Sequence, residues 1–220
     1  MATQLLAETG PHGPSAGTLD RIENMNGEEA LAKLLEGNRR FLAGAPEAKN
    51  FVTRREELKS GQQPIATVVA CSDSRVVPEY IFDVGLGEIF KVESAGNVLD
   101  KVGLGSVEYG VGHLHTPLLV VMGHQGCGAV TAAYDCGAGG DAPEGNIAAI
   151  VKKLAPVIKK AKKGGEKSAE IEQASAINVK KVMGKLRKLP PLKAALESGA
   201  LKMVGMKYSL DGTVEIIVKK

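Results

Sequence analysis

The sequence predicts an α/β fold: a mostly parallel sheet, about four parallel strands plus an antiparallel edge strand, flanked by helices on both faces. Three observations carry this. Short, β-branched apolar runs at 65–70, 88–93 and 117–123 alternate with stretches of helical periodicity. The runs read as strands buried on both faces, as parallel strands are. The last two apolar runs are separated by Asp211-Gly212, a turn signal that makes the closing strand antiparallel.

The elements follow in order. In "NGEEALAKLLEGNRRFLAG" (26–44), Ala30, Leu31, Leu34, Leu35 and Phe41 lie at helical spacing, with Asn26 as cap and Gly44 as stop. "IATVVA" (65–70) follows Pro64 and is the first strand, and residues 77–83 make one or two helical turns. "EIFKVE" (88–93) is the second strand. "LGSVEYGVGHL" (104–114) is a helix whose glycines mark close packing. "PLLVVMG" (117–123) is the third strand, and a helix runs from about Cys127 to Tyr134. Residues 136–145 form a loop. Helices over 146–163 and 166–189 break at Gly164-Gly165, and a short helix at 191–198 precedes the final pair, "LKMVGMKYSL" and "TVEIIVK".

At 220 residues and 44% hydrophobic, the chain can bury one full core, and it shows no internal repeat. The expected organisation is an N-terminal arm over 1–25, packed on a partner subunit or mobile, and one domain over 26–220. The +3 net charge arises from Lys at 152–153, 159–163 and 180–188, alternating with apolar residues as on the solvated faces of amphipathic helices. No recognition motif or interleaved aromatics accompany these lysines, so nucleic acid is not an expected partner. No run of about 18 apolar residues exists to span a membrane. The N-terminal stretch lacks the basic and apolar regions of a secretory signal, so the expected compartment is the reducing cytoplasm. Three cysteines are too few for a disulfide framework and leave one over, and in that compartment paired Cys and His read as metal ligands rather than as a bridge.

Chemistry-bearing residues collect at two strand ends. Cys71 follows the first strand; His124 and Cys127 follow the third. His124-x-x-Cys127 alone is equally a buried thiol beside an incidental histidine. Joined to Cys71 at a neighbouring strand end, the three are a zinc ligand set: two thiolates and an imidazole balance Zn²⁺ and leave one tetrahedral position open. The spacing predicts that His124 and Cys127 share the first turn entering a helix, with Gly123, Gly126 and Gly128 allowing a tight turn. Cys136, at the far end of that helix and roughly 13 Å away, is not expected to join them. Asp73 beside such a metal can accept a hydrogen bond from its water, orient it, or bind the ion itself. Arg75 can hold that carboxylate in a bidentate pair.

"CSDSR" (71–75) with "GHQGCGA" (123–129) resembles the β-class carbonic anhydrases. "EALAKLLEGNRRF", "VESAGNVL", "GSVEYGVGHLHTPLLVVMGHQGCGAV" and "VGMKYSLDGTVE" extend the resemblance over about residues 28–218. It implies a zinc enzyme interconverting carbon dioxide and bicarbonate, assembled as a homodimer or a multiple of dimers. By that resemblance Cys71, His124 and Cys127 are the zinc ligands, and Asp73 and Arg75 the catalytic dyad. Gln62, Phe90, Ala95, Tyr109 and the Gly128 amide match the substrate pocket of the plant-like branch, which in the family forms across the dimer interface. Two features depart from the pattern. Glu93-Ser94 stand where many relatives have Arg-Asn. The chain also has no Trp, so the allosteric branch's tryptophan-based bicarbonate site has no counterpart. Rival readings are a carbonyl sulfide or carbon disulfide hydrolase on the same zinc site, a non-catalytic zinc scaffold, and a thiol-redox protein.

Overall fold

The computed structural model describes residues 25–141 and 143–219. The expected N-terminal arm therefore lies outside the described residues, apart from Met25. Helix α1 (Gly27–Leu42) begins at Asn26 in a reciprocal cap. The Asn26 side chain accepts from the Glu28 and Glu29 amides, and Glu29 accepts the Asn26 amide at 2.9 Å. Helix α2 (Phe51–Glu57), which the sequence reading did not anticipate, buries none of its residues.

Five strands form one sheet in the order β2-β1-β3-β4-β5. Strands β1 (Ala66–Ala70), β2 (Ile89–Glu93), β3 (Leu118–His124) and β4 (Lys202–Tyr208) run parallel, and β5 (Val214–Lys219) pairs antiparallel with β4. Every residue of β1 and β3 is buried, as their unbroken apolar runs predict. The other helices are α3 (Pro78–Ile81), α4 (Lys101–Gly112), α5 (Gly128–Gly137), α6 (Ile147–Ala161), α7 (Lys167–Leu186) and α8 (Pro190–Ser198).

Helices cover both faces. Leu31 and Leu34 of α1 and Ile81 of α3 pack on one side, with Val68, Val120 and Met206. Val107 of α4, Val179 and Met183 of α7 and Leu192 of α8 pack on the other, with Val69, Leu119 and Met203. The glycine-rich α4 lies close to the sheet as expected: a Cβ at Gly110 would sit 2.3 Å from Thr67 Oγ1. A third apolar cluster joins α5, α6 and α7, and Cys71 and Cys127 belong to it.

This topology decides where a ligand can sit. From β1 the chain moves to β2 on one side, then crosses back to β3 on the other. Ligands in open parallel sheets bind outside the carboxyl ends of strands at such a reversal. Cys71 directly follows β1, and His124 is the last residue of β3.

Candidate metal centre

Cys71, His124 and Cys127 converge in that crevice. All three are buried, and their ligand atoms lie within 4.8 Å of one another. Cys136 is in α5 but outside the group, as its distance along the helix predicts. The approach to α5 differs in detail from the expected helical turn: His124 ends β3, and Cys127 is the N-cap of α5. Gly126, with φ of +62°, makes the turn between them. Gly123 serves close packing instead, since a Cβ there would meet Ser175 Oγ at 2.8 Å. Gly128, the first residue of α5, is exposed, and a Cβ there would meet nothing within 4 Å.

The donor set fits a soft-to-borderline dication. His124 Nδ1 lies 2.9 Å from the Gln125 carbonyl oxygen, which fixes Nδ1 as donor and leaves the Nε2 lone pair free. Nε2 is buried and has no hydrogen-bond partner. The two sulfurs are 4.0 Å apart, too close for both thiols to ionise unaided. The neighbouring Cys127 thiol lowers the Cys71 pKa, helped by His124 and by the Gly96 amide at 3.2 Å. Cys127 is pushed the opposite way by the Cys71 charge and by burial. Burial works against a protonated His124, but Cys71 and Asp73 outweigh it and raise its pKa. A dication among these atoms would remove the conflict by favouring both thiolates.

Asp73 and Arg75 form the expected pair beside this group. Arg75 Nε donates to Asp73 Oδ1 at 2.9 Å and Nη2 to Oδ2 at 2.8 Å, while the Arg75 amide also reaches Oδ1 at 3.0 Å. The guanidinium holds the Asp73 carboxyl well below the usual carboxylate range. Asp73 Oδ2 stands 3.9 Å from His124 Nε2, so the carboxylate borders the cluster while both its oxygens are engaged by Arg75.

The pocket residues divide. Ala95 adjoins Gly96, the donor to Cys71, and Gly128 adjoins Cys127, so both lie at the cluster. Gln62, Phe90 and Tyr109 gather elsewhere. Gln62 and Tyr109 line a depression with Leu58 and Leu114, and the Phe90 and Tyr109 rings lie 5.9 Å apart. Phe90 pairs with Thr67, four residues and about 13 Å before Cys71 along the strand direction. One chain therefore carries two separated halves of the expected pocket.

Several supporting groups were not foreseen. The Gly96 amide is a backbone group, with no side chain to announce it. Gln125 is pinned through its amide to the Tyr208 carbonyl at 2.8 Å and through Oε1 by the Leu210 amide at 3.0 Å. The Gly126 amide donates to Glu172 Oε1 at 2.9 Å, and Lys207 pairs with Glu172 at 2.6 Å. Ser94, within the Glu93-Ser94 departure from the family pattern, donates to the Val98 carbonyl and braces the turn over Ala95–Asn97.

Comparison with known proteins agrees with this geometry. Residues 66–214 match the carbonic anhydrase family. The chain is 38% identical over 192 residues to carbonic anhydrase 2 of Mycobacterium tuberculosis, covering 86% of this chain and 92% of that protein. It is also 38% identical over 198 residues to a carbonic anhydrase of Mycolicibacterium smegmatis, covering 89% and 95%. Among solved structures, the β-carbonic anhydrase of Coccomyxa in complex with acetazolamide superposes with a TM-score of 0.69 at 26% identity, covering 86% of each chain. One of two tetrameric β-carbonic anhydrases of Sordaria macrospora shares the fold, with a TM-score of 0.68 at 21% identity over 76% of this chain and 87% of that one.

Proposed function

The chain belongs to the β-carbonic anhydrases, and from that membership we propose that it catalyses the reversible hydration of carbon dioxide to bicarbonate and a proton, with zinc held by Cys71, His124 and Cys127. The observation that carries this reading is the buried, unpartnered Nε2 of His124 grouped with two thiols that cannot both ionise alone. Zinc bound there supplies a Lewis acid that brings the pKa of a water toward about 7.

The chain's own groups do the rest. Asp73, kept ionised by Arg75, is an acceptor only; it takes the hydrogen bond of the attacking water and turns the water's lone pair toward the substrate carbon. The engagement of both Asp73 oxygens by Arg75 supports a carboxylate that orients water rather than one that ligates the metal. The amide of exposed Gly128 donates to the negative charge growing on a substrate oxygen. Ala95 forms apolar wall. Gln62, Phe90 and Tyr109 act on the neighbouring subunit's metal site, in a homodimer or a multiple of dimers, and residues 26–220 act as one catalytic domain.

Stopped-flow carbon dioxide hydration by wild type and Asp73→Asn across pH 6.5–9, with zinc content measured on both, tests the mechanism. The expected result is fast wild-type turnover and a loss of about 100-fold or more in the variant at unchanged zinc. No hydration by zinc-loaded wild type at any of these pH values would refute the proposal.

A further inference from the structure

Away from the metal centre, α6, α7 and the segment after β2 line an open cleft of about 530 Å³. Five cations line it: Lys153, Lys181, Lys185, Arg187 and Lys188. No carboxylate lines it, and among the described residues none of the five forms a salt bridge. All five are exposed, as expected of solvated helix faces, and three of them are also tied to backbone. Lys153 donates to the Leu99 carbonyl at 3.1 Å, and Lys185 reaches the same oxygen at 3.5 Å. Lys181 donates to the Lys153 carbonyl at 2.6 Å. Two ammonium groups thus share one acceptor, with a third alongside, and their charges repel; the carboxylate that Lys153 acts on, Asp100, is not part of the lining. Burial, then Lys153, Lys160 and Lys185, lower the Lys181 pKa accordingly.

A second feature is independent of charge. Gly184 lies inside α7 and lines the cleft, and a Cβ there would meet nothing within 4 Å. A mid-helix glycine is unfavourable relative to alanine. Here it serves neither close packing nor a turn, and it leaves that stretch of the lining without a side chain. Val98, Leu99 and Val182 supply apolar wall beside the cations.

We propose that this cleft is a binding site for a small molecule bearing two or more phosphates, its phosphates on Lys153, Lys181 and Lys185 and its less polar body against Val98, Leu99 and Val182. The volume suits a ligand of nucleotide size, and multiple ammonium donors suit phosphate oxygens. A concave site with an apolar wall favours a small molecule over a nucleic-acid strand, which would need a continuous basic track with stacking aromatics. The site also touches the metal centre's supports. Asn178 lines the cleft and donates to the Gly96 carbonyl at 2.9 Å, and the Gly96 amide contacts Cys71.

The test is calorimetric titration of the zinc-loaded full chain with ATP and with inorganic pyrophosphate, repeated on two variants. Lys181→Ala/Lys185→Ala removes charge and keeps the space; Gly184→Leu keeps charge and fills the space. Thermal melting of each variant verifies the fold. The expected result is a Kd below about 1 mM for at least one probe, weakened tenfold or more by each variant. Absence of binding by both probes overturns the proposal. So does binding that survives either variant, since it would then reside on the metal or on diffuse surface charge. A single-stranded oligonucleotide that binds through these lysines while both probes fail would assign the surface to a polymer and overturn it equally.

Discussion

Much of the order of the Cys71, His124 and Cys127 group comes from residues that touch none of its three ligand atoms. Gln125 and Gly126, between His124 and Cys127, are exposed, and hydrogen bonds with Tyr208, Leu210 and Glu172 fix their shape. Glu172 matters most among these, because it accepts the Gly126 amide while neutralising Lys207. Glu172→Ala would free that amide and leave the Lys207 charge unpaired. Zinc affinity, measured by competition with a chromogenic chelator, is expected to weaken about tenfold, and Glu172→Gln, which keeps an acceptor oxygen, to recover most of it. Unchanged affinity in Glu172→Ala would show that Gln125 alone holds the turn. Nothing in the local sequence around Glu172 announces this role, because its partners are distant in the chain. Cys71, Asp73, Arg75, His124 and Cys127 are legible for the opposite reason. Two thiols, an imidazole and a bidentate carboxylate–guanidinium pair gathered just past two neighbouring apolar strands are more than an apolar core needs, and that combination points to chemistry.

At the scale of elements, legibility follows burial. β1 and β3 are read within a residue or so because both faces are covered and every position must be apolar. Helix α2 buries nothing, so it has no periodicity to read, and only its Asn50 cap hints at a start. The break between α6 and α7 is legible as Gly164-Gly165, but what holds it is not. Glu170 accepts from Tyr134 Oη at 2.6 Å and from the Lys163 and Gly165 amides, so one carboxylate closes the loop between two helices. Those bonds, the Tyr134 hydroxyl's foremost, bring the Glu170 pKa down to about 2. A carboxyl with a depressed folded-state pKa stabilises the fold above its unfolded value and loses that contribution as pH falls through the folded one. Glu170→Gln is therefore expected to melt roughly a few degrees below wild type at pH 7. The gap should narrow as pH drops from about 4.5 toward 2. A gap constant over that range would mean that the loop is held by geometry and not by the charge.

At the scale of the whole molecule, the separation of Gln62, Phe90 and Tyr109 from Cys71 is the feature that strand patterns alone do not reveal, since it depends on the register of β1 against β2. Tyr109 is 47% exposed although its ring lies against Phe90 and stacks on His113, and Phe51, Val52 and Val102 are more exposed still, apolar groups that a second copy could cover. In a two-fold dimer each metal group would then work with the other chain's Gln62, and two defects in different chains could complement. Take Asp73→Asn and Gln62→Ala, each inactive or nearly so as a pure protein. Unfolded together and refolded, half of the dimers would be mixed, and each mixed dimer would hold one site with both defects and one with neither. Hydration activity should rise to about a quarter of wild type on a per-chain basis, a level neither parent reaches. If Gln62 served the metal group of its own chain, every site in a mixed dimer would carry one defect, and refolding together would restore nothing. The experiment thus separates a pocket completed by a second subunit from one completed within the chain, whatever the final number of subunits.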